Sequence, residues 1–264
     1  MNRRTVVAGL VLLLTLFGAS LTLGVWFPGV LHDHCPLGRD LIRPDLSVCE
    51  LSLGGLWVSF SVALLAAALA TGLGLLLGVA ARQLGRLSER LLLRSADAFF
   101  ALPDVLVLMV LQLAGQTLGD LNPAWRLRPF TLMVVSLAAV GWAGPARMLN
   151  NRLVTLERLD HVAAARALGA SPVRIFRVHV WPFLRPTALS IFIARIPAAV
   201  LAESTVSFFG IARLEPMSLG RYLGTSYASI LYEGGARIVG PAWGLLMLLV
   251  LGASLTSRGL QPVP

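Results

Sequence analysis

The chain has 264 residues, 56% of them apolar and 13% charged, with a net charge of +9 at pH 7. Soluble domains carry about 25% charged residues, so this composition excludes an ordinary water-soluble fold and makes the bilayer the solvent. All 22 basic residues are arginine; without lysine there is no Walker A loop and no Schiff base, so the chain does not bind and cleave ATP by itself in the usual way.

Six apolar segments follow in chain order: about Thr5–Phe27, Leu56–Ala81, Ala96–Gly115, Phe130–Ala146, Pro186–Phe209 and Gly240–Leu255. Each approaches or exceeds the roughly 20 residues that a helix needs to cross the hydrocarbon, and lipid leaves backbone groups no partner but their own helix. The first segment follows Arg3 and Arg4 as a signal peptide would, yet its apolar run exceeds the roughly 7–15 residues of a signal core, so a retained span is expected. With the N-terminus inside, 14 arginines fall inside, 7 fall outside, and Arg195 lies within a span. That asymmetry predicts N-in and C-in. It also accounts for the basic charge without nucleic acid.

The expectation is an all-α polytopic membrane protein with six transmembrane helices. Residues 1–55 hold the first span and an external loop. Residues 56–264 hold a five-helix core with a cytoplasmic loop at about 147–185. In the second span, Gly74-x-x-x-Gly78 permits close helix approach, and ordinary small-residue packing explains it equally well.

The most distinctive stretch is polar. Asp160-His-Val-Ala-Ala-Ala-Arg-Ala-Leu-Gly-Ala-Ser-Pro172 lies between apolar segments. Asp160 is a good N-cap, Val162–Leu168 favours helix, and Gly169 suits a left-handed helix end. Ser171 caps a second helix with Pro172 at its first position. The alanine-thin face is too weak for deep interfacial burial, so a protein partner is expected rather than lipid headgroups.

This run resembles the EAA loop of permease subunits of bacterial ATP-binding-cassette importers, closest to the C-type permease of the dipeptide, oligopeptide and nickel branch. Leu37-Gly-Arg-Asp40, Asp97, Leu102-Pro103, Trp142, Ala146-Arg147, and Glu203 with Ser207-Phe-Phe-Gly210 resemble family patterns in the same order. Two positions depart from it. Ala163 replaces the glutamate that names the motif and would complete a capping box, and Asn150 stands where arginine is common. The resemblance implies a type I importer permease fold in the bacterial inner membrane. It implies a homologous second permease, two ATPase subunits that hold ATP and magnesium, and an external solute-binding protein. It places ATPase coupling on Asp160, Ala163, Ala164, Ala165, Arg166, Gly169, Ser171 and Pro172, and bond chemistry on other subunits. No cofactor is expected on this chain. The rival reading is a secondary transporter or channel without ATPases, which would carry several intramembrane acids.

Asp104, Arg195 and Glu203 are the candidate pathway or permease-interface charges; an internal ion pair is the alternative. Arg195 and Glu203 are eight residues apart and so share a helix face. Pro103 is expected to kink the third span beside Asp104. His32, Asp33, His34 and Cys35 are all metal-ligand types. Neighbours in a short loop rarely all face one ion, so no metal is assigned, with His32 and His34 the weak candidates. Cys35 and Cys49 both fall outside, where they form a bridge or remain two thiols.

Overall fold

The computed structural model describes residues 3–26, 35–38, 40, 46–232 and 234–260. His32 and His34 lie outside the described residues. Five helices are long and apolar enough to cross a membrane, and a bent pair brings the number to six. The all-α polytopic architecture read from hydropathy is the one observed.

Helix α1 (Arg3–Ala19) continues in a wider turn to Trp26. It packs along α11 (Gly235–Leu260), where a Cβ added to Gly9 would lie 2.6 Å from the Thr256 nitrogen. That backbone approach requires glycine. Helix α2 (Val48–Leu84) is the central post. Its capping box begins at Ser47, whose Oγ accepts from the Glu50 N–H at 3.2 Å while Glu50 Oε2 accepts from the Ser47 N–H at 2.8 Å. Gly85, at φ +105°, turns the chain into the amphipathic α3 (Arg86–Phe100).

Here the structure corrects the third predicted span. Ala96–Gly115 is not one helix. Helix α3 stops at Phe100, and α4 (Asp104–Leu121) starts after a non-helical break, with Pro103 as its N-cap. A residue before proline is driven out of the α region, so Leu102-Pro103 separates two helices instead of kinking one. The fourth span is bent as well. Helices α5 (Pro129–Gly141) and α6 (Ala143–Glu157) meet at 46°. Pro145 supplies no N–H for the Gly141 carbonyl four residues earlier, which opens the ladder at that point.

The loop that follows holds α7 (Asp160–Ala167) and the single turn α8 (Pro172–Ile175). Through a wide turn at Phe176–Val180 the chain enters α9 (Trp181–Phe208). Helix α9 runs through Pro186 and Pro197, so the fifth span starts five residues before its predicted Pro186 boundary. The short α10 (Leu219–Ser226) tucks against α2 and α9 before α11 closes the chain.

Three apolar clusters hold these helices. One joins α1, α2, α9, α10 and α11 around Leu56, Leu219 and Leu249; a second joins α2, α4 and α5 around Val62, Leu108 and Met133. The third lies toward the α7–α8 loop and joins α6, α7, α8 and α9 around Leu149, Leu153, Val162 and Leu184. Gly74 and Gly78 both face α6. A Cβ on Gly74 would lie 2.6 Å from the Ala146 nitrogen, whereas one on Gly78 would stay 3.5 Å from the Ala146 carbonyl oxygen. Those glycines therefore serve packing inside one subunit.

Candidate functional site

The loop between α6 and α9 is built as its sequence implies, with one shift at the front. Leu159 is the N-cap of α7, because its carbonyl accepts from the Val162 and Ala163 N–H groups at 2.9 and 3.1 Å. Asp160 is one residue further in, at the first helical position, and makes no side-chain cap. Helix α6 ends with Arg158 as its C-cap, leaving Leu159 as the single linking residue. Asp160 therefore favours α7 through the helix dipole rather than by capping it.

The far end matches its expectation. Gly169 has φ +79°. The Gly169 N–H donates to the Arg166 carbonyl at 3.0 Å, and the Ala170 N–H to the Ala165 carbonyl at 3.1 Å. These are the two bonds of a Schellman ending. The Ser171 Oγ accepts from the Arg174 N–H at 3.4 Å, with Pro172 at the first position of α8.

Val162 is the buried residue of α7, fully enclosed among Leu149, Leu153, Leu156 and Leu184. His161 reaches back to Phe183, with ring centroids 5.7 Å apart. The opposite side is open. Asp160, Ala163, Ala164, Arg166, Gly169, Ser171 and Pro172 are exposed, and Ala165 is half-buried. Leu168 is 88% exposed at the tip. One apolar peg thus fixes a narrow rod whose outer face is exposed.

Beneath the rod is a polar network that sequence reading missed. Arg82 Nη1 donates to Glu89 at 2.8 Å, and its Nε donates to Glu157 at 2.9 Å. Asn150, 1% exposed, donates its amide to Glu89 Oε1 at 3.1 Å. That Asn150 hydrogen bond, and then Arg82, hold the Glu89 carboxyl below the usual carboxylate range, while burial opposes them. Asn150 was visible as a departure from the family pattern, but nothing in the sequence pointed to Glu89 as its partner. Two fragments of the resemblance also meet, since Arg147 Nη1 lies 2.6 Å from Asp97 Oδ1.

The intramembrane charges separate. Glu203 is fully buried inside its own subunit. Ser207 donates to its Oε1 at 2.7 Å and Ser204 to its Oε2 at 3.3 Å, and the hydroxyls of Ser218 and Ser59 also reach it. Ser59 in turn accepts from the Leu219 N–H at 3.1 Å, so the cluster ties α2, α9 and α10 together. In this conformation Glu203 faces neither a route nor the outer surface. Arg195 turns elsewhere, toward Gly141 and Asp104.

On the outer side, Cys35 and Cys49 are bonded, with their Cα atoms 5.9 Å apart. The Tyr222 hydroxyl donates to Asp40 at 2.9 Å, fastening that loop to α10. Burial and the neighbouring carboxylate push the Tyr222 phenol up, so it remains a donor. No group of three or more potential metal ligands occurs among the described residues.

Residues 70–259, from the middle of α2 through α11, match the family described as "Binding-protein-dependent transport system inner membrane component". The chain belongs to that family. Among similar proteins, the dipeptide transport system permease protein DppC of Bacillus subtilis is 26% identical over 225 residues, covering 85% of this chain and 63% of its own length. The oligopeptide transport system permease protein OppC of Mycobacterium bovis is 25% identical over 241 residues, covering 89% of this chain and 75% of its own. The chain is thus a multi-pass inner-membrane permease component, and not itself a catalyst. The resemblance drawn from the loop and the flanking motifs named the same family.

Proposed function

We propose that this chain is one half of the translocation pathway of an ATP-driven importer for peptides or a similar small solute. A homologous permease completes the pathway, two ATPase subunits hold ATP and magnesium, and an external binding protein delivers the solute. The observation that carries this reading is α7, a rod pegged by Val162, ended by the Gly169 turn and open along its outer face. In a chain of this family, that is the shape of a docking lever. The likeness to the dipeptide and oligopeptide permeases favours peptides over nickel chelates. A switch of this kind requires contacts that differ between two states. Closure of the ATPases would supply them through Asp160, Ala163, Ala164, Ala165, Arg166, Gly169, Ser171 and Pro172. With Ala163 in place of the motif glutamate, contact there would be made by a methyl group and the backbone rather than by a carboxylate.

The test is purification of the tagged chain from its native membrane, followed by reconstitution. A second permease and ATPase subunits should copurify, and ATP should drive peptide accumulation in vesicles. Uptake that persists without any nucleotide-hydrolysing partner would overturn the proposal in favour of a secondary transporter.

A further inference from the structure

Two helix interruptions meet at one level. The 101–103 break lies between α3 and α4, and Trp142 marks the bend between α5 and α6. Phe99 and Trp142, from the two sides, meet edge to face with centroids 5.5 Å apart. Gly141 touches Arg195, for an added Cβ there would lie 2.5 Å from its Nη2. Asp104, the first residue after the other break, shares with Arg195 a cavity of about 40 Å³ floored by Ala66, Ala67 and Ala70. Arg195 is halfway along the 28-residue α9, hence roughly 20 Å from either end.

The Arg195 Nε is buried with no hydrogen-bond partner. Asp104 lines the same cavity, yet the two form no ion pair among the described residues. A membrane-depth charge normally faces a cavity or finds a partner. Irregular backbone at that depth survives where it is enclosed by protein or lines a cavity. Broken helices that converge near the midplane commonly form solute sites in transporters. Asp104 itself is exposed at the start of α4, where Leu102 and Leu106 are exposed as well.

We propose that Arg195 receives the carboxylate of the passing solute, with Asp104 as the resting counter-charge at its mouth. This rests on the peptide-import reading above. A peptide carries a C-terminal carboxylate whatever its side chains, and guanidinium binds carboxylate through paired hydrogen bonds. The cavity admits an end group rather than a whole solute; the rest of the peptide lies outside, along α4.

The test uses the complete reconstituted transporter during turnover, with peptides bearing a photoreactive group on either the C-terminal or the N-terminal residue. With wild type, the C-terminal probe should label the Asp104–Leu108 and Ala198–Ala202 walls and the N-terminal probe should not. Arg195→Gln should cut that labelling roughly tenfold or more, the scale of one charge-assisted hydrogen bond, and Arg195→Lys should restore part of it. Glutamine keeps a hydrogen-bonding end at this position and Asp104 is itself exposed, so the Gln variant should assemble and melt like wild type. Equal labelling in the Gln variant, or its failure to assemble while the Lys variant does, would overturn the proposal and assign Arg195 to structure. If wild type imports no peptide, the peptide reading falls, and this proposal with it.

Discussion

Replacing Gly169 tests the proposed coupling role of α7 most directly. A Cβ at this position meets nothing within 4 Å, so any cost arises from the backbone and not from crowding. At φ +79°, a left-handed conformation costs an ordinary L-residue roughly 1–2 kcal/mol. Asparagine is more tolerant, and β-branched residues are outliers there. The expected series is below about 1 kcal/mol for Gly169→Asn, about 1 for Gly169→Ala and about 2 for Gly169→Val. If the backbone flips to escape, the Gly169–Arg166 and Ala170–Ala165 hydrogen bonds are lost, each worth about 0.5–1.5 kcal/mol. About 2 kcal/mol shifts an equilibrium roughly thirtyfold, enough to unseat a lever whose anchor is the single peg Val162. Solute-stimulated ATP turnover and uptake by the reconstituted transporter should therefore fall in the order Gly, Asn, Ala, Val. Wild-type uptake by the Val variant, or an Asn variant as poor as Val, would refute the reasoning.

Gly74→Ala should destabilise the subunit by about 1–3 kcal/mol, because its Cβ would lie 2.6 Å from the Ala146 backbone, whereas Gly72→Ala meets open space and should be silent; melting in detergent compares them. Glu203→Ala leaves the Ser204 and Ser207 hydroxyls without their acceptor and should cost about 2–4 kcal/mol. Glu203→Gln should cost less than half of that, and equal losses would dismiss the hydrogen-bond account. The Glu89 carboxyl titrates below its ordinary value because of Asn150 and Arg82. Its stabilisation is therefore complete above the unfolded value of about 4.3 and disappears as pH falls through the lower folded value. Acid melts should lose this component in wild type, and Glu89→Gln should flatten the loss; an equally steep variant would rule Glu89 out.

The spans were legible because burying backbone in lipid allows little except long apolar helices, and a stretch such as Val58–Val79 carries that signal in all but the small polar residues Ser59, Ser61 and Thr71. Gly169, Ser171 and Pro172 were legible because each serves a local rule of chain geometry, and the structure puts all three to the predicted use. The breaks at Leu102-Pro103 and Trp142 were not placed. Hydropathy averages across a proline, and whether Pro103 bends one helix or starts another depends on what packs beside it. Asp160 missed its cap by one residue because the length of the link from α6 is set by packing and not by propensity. Glu203 was visible as an intramembrane acid, but its serines come from three helices up to about 160 positions apart, a juxtaposition that periodicity cannot report. The Glu89–Asn150 contact is non-local for the same reason.

The same packing would carry a push on the α7 loop toward the membrane interior under the coupling role proposed above. Val162 is wedged among side chains of α6 and α9, so α7 cannot move along its own axis without carrying both. Helix α6 runs up to the bend at Trp142, next to Gly141; α9 runs up to Arg195, which touches Gly141 from the other side. Helix α6 thus ends its rigid course at the level where α3 and α4 are already broken, whereas α9 passes that level and continues to Phe208. Under the coupling role proposed above, displacement applied at the loop would be absorbed at the α3–α4 and α5–α6 interruptions, the level that also holds the Asp104–Arg195 cavity. Restoring a continuous ladder there should stiffen the hinge without touching the loop. Pro145→Ala returns the missing N–H toward the Gly141 carbonyl. It should leave ATPase copurification intact, raise the melting temperature, and slow solute-stimulated turnover. A variant that melts higher and transports at the wild-type rate would show that the bend takes no part in the motion.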